Sequence, residues 1–87
     1  MADRGHIKIS VDKDSLIYEF NKKDVIYTKT IQKREWNADM QRYDDKVVLY
    51  IYLSTQKDPV GISITVSDKT SKEDAIRYIN YFKEMCR

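Results

Sequence analysis

Val47-Val48-Leu49-Tyr50-Ile51-Tyr52-Leu53 is apolar or aromatic at every position, and its reading decides the fold. The stretch is far short of the roughly 20 apolar residues that a membrane-spanning helix needs. Its β-branched and aromatic side chains are those that fit a pleated surface. A strand that is apolar throughout is one covered on both faces, so 47–53 is expected at the centre of a sheet. Val48, Tyr50 and Tyr52 share one of its faces, with Leu49 and Ile51 on the other. If a helix covers Leu49 and Ile51, the tyrosine face is left for a second layer, a barrel interior or a partner.

The flanking segments supply the rest of the sheet. After a turn at Ser54-Thr55-Gln56-Lys57-Asp58-Pro59, residues 60–66 alternate, with Val60, Ile62, Ile64 and Val66 inward. Gly61 within that run signals a bulge or a close packing partner. Toward the N-terminus, residues 6–11 place Ile7, Ile9 and Val11 on one face, and residues 15–20 do the same with Leu16, Tyr18 and Phe20. Residues 25–34 form a third strand opening with Val25-Ile26-Tyr27. Turn-forming polar residues separate these strands, Asp12-Lys13-Asp14-Ser15 and then Asn21-Lys22-Lys23-Asp24, which predicts an antiparallel meander.

Residues 71–86 carry a helix. Thr70 and Glu73 fit a capping box, and Glu73 and Asp74 sit where the helix dipole favours anions. Ala75, Ile76, Ile79, Phe82 and Cys86 recur at helical spacing, with Tyr78 and Met85 flanking them and Lys83 and Arg87 closing the end. The predicted architecture is α+β in a single domain spanning 1–87. It has about five antiparallel strands, in a curved sheet or partial barrel, and one C-terminal amphipathic helix laid on them. Residues 32–46 break the pattern, being dense in charge with no sustained period. A strand extension and a single helical turn are alternatives there; the reading adopted is a charged loop over 35–46.

The reactive groups are few. His6 is the only histidine and Cys86 the only cysteine, which excludes an intramolecular disulfide and a multi-thiolate zinc site within one chain. No phosphate-binding glycine loop and no nucleophile elbow is present, so catalysis, metals and cofactors are not expected. Lysine and arginine number 16 against 14 acidic residues, a balance that gives no bulk signal for nucleic acid. The first residues, Met1 to His6, lack the apolar stretch of a secretory signal, and a cytoplasmic location is expected.

Several residues stand out as binding candidates. Trp36 lies among charges with Tyr43, Arg34 and Arg42 near it in sequence, which suits a contact hot spot or a plug for one end of the sheet. Tyr18, Tyr27, Tyr50, Tyr52 and Lys29 form an alternative set on strand faces. Lys22, Lys23, Lys29, Lys33, Arg34 and Arg42 give the first half a local positive excess, diluted by interleaved acids.

One resemblance bears on function. Ile9-Ser10-Val11-Asp12-Lys13-Asp14-Ser15-Leu16-Ile17-Tyr18-Glu19-Phe20, followed by Val25-Ile26-Tyr27, resembles the opening strands of bacterial pleckstrin-homology-like domains. Those domains also finish with strands and a capping amphipathic helix. The resemblance implies binding, of lipid headgroups, peptides or proteins, without catalysis. The functional expectation is therefore a non-catalytic protein-interaction module, with self-association through an edge strand as one form. The alternatives are a small nucleic-acid-binding sheet and a small inhibitor protein from a mobile genetic element.

Overall fold

A computed structural model describes residues 5–11 and 16–86, with the side chains of Val11 and Leu16 left aside. The turn expected at 12–15, the first four residues and Arg87 lie outside the described residues.

Alternation generates the strands. β1 (His6–Val11) and β2 (Leu16–Asn21) pair antiparallel, with Ile7 opposite Phe20 and Ile9 opposite Tyr18. β3 (Val25–Asn37), β4 (Arg42–Leu53) and β5 (Val60–Thr65) form a second antiparallel sheet in that order. β4 is central in the strand order, as expected, but only its Val47, Leu49, Ile51 and Leu53 face joins the core; the expected cover over Val48, Tyr50 and Tyr52 is not part of that cluster. The helix α1 (Lys72–Met85) follows.

The expected three-strand meander is not formed, because β2 and β3 do not pair and the five strands divide into two open sheets. The cause is local and tertiary together. Residues Lys22–Asp24 form a 3-10 turn, capped by the Asn21 side chain accepting from the Lys23 N–H at 3.0 Å, and it redirects the chain. The apolar face of β1 and β2 then stacks on the second sheet instead of extending it edge to edge.

One core joins the layers. Val47, Leu49, Ile51 and Leu53 point from one face of β4 toward Ile7, Ile9 and Phe20 of the hairpin and Ala75, Ile79 and Cys86 of the helix. Tyr18, Ile76, Phe82 and Met85 pack around this cluster. The helix starts one residue later than the capping-box reading, with Ser71 as N-cap in place of Thr70. The Ser71 hydroxyl accepts from the Asp74 N–H at 3.1 Å, which satisfies one orphan donor of the first turn. Desolvation in the core raises the Cys86 thiol above its ordinary value, with nearby Lys22 opposing that shift. Among the described residues no helix is long and apolar enough to cross a membrane.

The charged segment departs most from expectation. In place of a loop over 35–46, β3 continues to Asn37 and β4 begins at Arg42. A tight turn joins them, in which the Asn37 side-chain oxygen accepts from the N–H groups of Asp39 and Met40 at 3.1 and 3.2 Å. Gln41 adopts a left-handed φ of 51° to close it. Strand β5 accompanies β4 only as far as Lys46, so the end of the β3–β4 hairpin leaves the body as a two-stranded arm. This arm helps stretch the molecule to 48 × 24 × 23 Å. The radius of gyration is 14.1 Å, against about 12 Å for a compact chain of this length.

Candidate functional site

The arm is held by its charges rather than by a core. Across the ladder, Lys33 faces Lys46, Arg34 faces Asp45, Glu35 faces Asp44, Trp36 faces Tyr43 and Asn37 faces Arg42. Opposed residues in an antiparallel pair project to the same side, so the arm has two distinct faces.

On one face Glu35 lies between two ammonium groups, at 2.6 Å from Lys46 and 3.1 Å from Lys33. The Lys46 hydrogen bond, then that of Lys33, holds the Glu35 carboxyl below the usual carboxylate range. The same interaction raises the Lys33 ammonium. Nearer the tip, Asp44 accepts from the Asn37 amide at 2.9 Å and from Arg42 Nε at 3.2 Å.

The opposite face carries the aromatic residues. The Trp36 and Tyr43 rings meet edge to face, with centroids 5.0 Å apart and planes at 66°. The Arg34 guanidinium lies 5.6 Å from the Tyr43 ring centroid and pairs with Asp45 at 3.3 Å. Trp36 remains 56 % exposed and Tyr43 61 %. Trp36 therefore does not plug an end of the sheet. Met40 is exposed in the adjoining turn. At the root, Arg34, Asp45, Val47, Val66 and Lys72 line a shallow hollow, where the Val66 N–H donates to the Asp45 carbonyl at 2.8 Å.

Of the residues expected to act together, Trp36, Tyr43 and Arg34 do form one cluster. Arg42 does not join them, because it projects to the other face beside Asp44. Asp45 enters the cluster unforeseen; its position opposite Arg34 follows from counting outward from the turn.

The alternative set also divides. Tyr27, Lys29, Tyr50 and Tyr52 share the face of the three-stranded sheet turned away from the core, together with Ile31 and Val48. Tyr27 and Tyr52 stack with centroids 4.3 Å apart and planes within 12°. Partial desolvation and then the neighbouring Tyr52 raise the Tyr27 phenol above its usual value. The Tyr50 ring lies over Gly61, so that a β-carbon there would stand 3.4 Å from the ring. That distance is ordinary van der Waals contact, so the ring is a packing neighbour that a side chain at 61 could also meet. Tyr18 is separated from this set, on β2 and packed against the core.

His6 approaches Glu19 at 3.8 Å on the exposed outside of the hairpin. Among the described residues no group of three or more His, Cys, Asp or Glu side chains could hold a metal ion. The arm presents an indole, a phenol and a guanidinium together on one face of a two-stranded ribbon. No family model matches the chain, and searches of curated proteins and of solved structures find nothing similar to it.

Proposed function

We propose that this chain is a non-catalytic protein-binding module that grips its partner with the β3–β4 arm and acts in the cytoplasm. The observation that carries the reading is the cluster of Trp36, Tyr43 and Arg34, held on a projecting ribbon and exposed where no core needs it. Tryptophan, tyrosine and arginine are the residue types that dominate protein–protein hot spots. The Trp36–Tyr43 ring contact and the Arg34–Asp45 ion pair bring them together before a partner arrives, which lowers the cost of ordering them. The resemblance to pleckstrin-homology-like domains points the same way, toward binding without catalysis.

A foreign partner suits the structure better than a second copy at the sheet edge. β3 is an edge strand, but its pairing is offset at Ile26, an exposed residue between Val25 and Tyr27. Such a bulge, with Lys29 and Lys33 further along, discourages strand-to-strand self-association.

The test is affinity capture from the native host with the wild-type chain and Trp36→Ala in parallel. One partner present with wild type and lost with the variant is the expected result. Identical captured sets, with both proteins folded, would overturn the reading.

A further inference from the structure

A second surface lies on the body of the molecule, away from the arm cluster. The core-averted face of the β3–β4–β5 sheet carries Tyr27, Lys29, Ile31 and Lys33 on β3, and Lys46, Val48, Tyr50 and Tyr52 on β4. Gly61, Ser63 and Thr65 complete it on β5. Among the described residues the core cluster with the helix and the β1–β2 hairpin lies on the other side. On this face Val48 is buried among its neighbours, Ile31, Tyr50 and Tyr52 are half-buried, and Tyr27 and Lys29 are exposed. We infer that this face binds single-stranded nucleic acid, with bases stacked on the tyrosines and phosphates drawn to the lysines.

Three observations support that occupant. The aromatic groups are arranged for stacking: Tyr27 and Tyr52 are nearly parallel, and Tyr27 keeps 53 % of its surface exposed. Of this pair Tyr27 is the exposed ring and Tyr52 the half-buried one, so Tyr27 is the ring open to a base. Bases stack on exposed tyrosine rings without regard to sequence, which is how small sheets hold single strands.

The charge is complementary to phosphate. Lys29, Lys33 and Lys46 lie on the face, and the carboxylate among them, Glu35, serves two of the three. Lys29 takes part in no ion pair among the described residues, and the face is net positive. A second copy of this chain docked face to face would set these lysines against each other, so like charge disfavours that occupant.

The dimensions also fit a short site. From Tyr27 to Lys33 along β3 is about 20 Å at roughly 3.4 Å per residue. That length accommodates on the order of four nucleotides, the low end for a single binding sheet.

Fluorescence anisotropy of a labelled oligothymidylate about 12 nucleotides long, titrated with the full chain at low salt, tests this directly. Saturable binding is expected, weaker for a duplex of the same length. Its logarithm should fall with log salt at a slope near −0.7 per phosphate contacted, so about −2 for three lysines. Tyr27→Ala should weaken binding roughly 5- to 150-fold, the effect of one lost base stack. Lys29→Ala should flatten the salt slope by about 0.7. Trp36→Ala should bind as wild type does, which separates this surface from the arm. No anisotropy change at low salt overturns the inference, as does wild-type affinity in a folded Tyr27→Ala chain. A wild-type dimer in sedimentation that Tyr27→Ala dissociates, with no oligonucleotide bound, assigns the face to a second copy and also overturns it.

Discussion

Cutting the arm away should leave a folded body. The cut replaces residues 35–44 with Asn-Gly, joining Arg34 to Asp45, which face each other across the ladder. A two-residue connection of that type closes an antiparallel hairpin with the correct twist. The loss can be bounded from the structure, since no side chain between Lys33 and Lys46 is buried and none belongs to the core cluster. The contacts removed are the Trp36–Tyr43 ring pair, of a kind contributing about 0.5–1.5 kcal/mol, and the ion pairs of Glu35 and Asp44, which lie on the surface of the arm and contribute little. Shortening the connection from about ten residues to two returns roughly 1.4 kcal/mol, at about 0.6 per halving. The net change is therefore within about 1 kcal/mol, against a total of roughly 4–13 kcal/mol for a domain of this length. In urea unfolding followed by far-ultraviolet circular dichroism, the midpoint should barely move. In thermal melts Tm should shift by no more than about 4–8 °C. The shortened chain should at the same time lose the partner captured by the intact one. An excised protein that is unfolded, or that melts some 20 °C lower, would refute the argument that the arm is separate from the core.

Other perturbations probe the remaining links. Ile79→Ala opens a cavity where helix, hairpin and sheet meet, at a side chain with no exposed surface, and should cost about 2–5 kcal/mol in denaturant unfolding. Tyr81→Ala on the outer face of the same helix, 64 % exposed, should stay within about 0.5 kcal/mol. The Glu35 carboxyl should titrate below the ordinary glutamate range by nuclear magnetic resonance, and Lys46→Ala should move it back up. Because that folded-state pKa is depressed, the stabilisation is present above the unfolded value and lost as pH falls through the folded one. The stability gap between wild type and Glu35→Gln should therefore close on acidification. Native Cys86, with its thiol raised by desolvation, should react slowly with iodoacetamide near neutral pH and quickly once urea unfolds the chain.

The legible parts of this fold are those that bury a face. The run Val47–Leu53 marks the central strand by being apolar throughout, and the stripe from Ala75 to Cys86 marks the helix on it by its period, because burial leaves an apolar record in the sequence. The arm buries nothing, so no period in hydropathy marks it. Its signal is a pairing of charge and ring about the turn, Trp36 with Tyr43 and Arg34 with Asp45, with Glu35 reaching diagonally to Lys46. That pattern becomes visible only once the turn at Asn37 is placed. The breaking of the meander was hidden for a different reason. Whether β3 extends β2 or stacks over it depends on where the apolar face of Ile7, Ile9 and Phe20 finds a complementary surface, which is a tertiary matter. Tyr18 illustrates the consequence, as it shares strand chemistry with Tyr27 and Tyr52 but faces inward on another sheet.

The claim beneath the functional account is that Arg34, Trp36 and Tyr43 are presented by an ordered ribbon. Proton resonance spectroscopy of the free chain measures this most directly, through ring contacts and amide exchange along the arm. The account predicts nuclear Overhauser contacts between the Trp36 and Tyr43 rings, and slowed exchange of paired amides in 33–37 and 42–46. Narrow, unstructured resonances for those residues, with exchange at free-peptide rates and no contact between the rings, would contradict it.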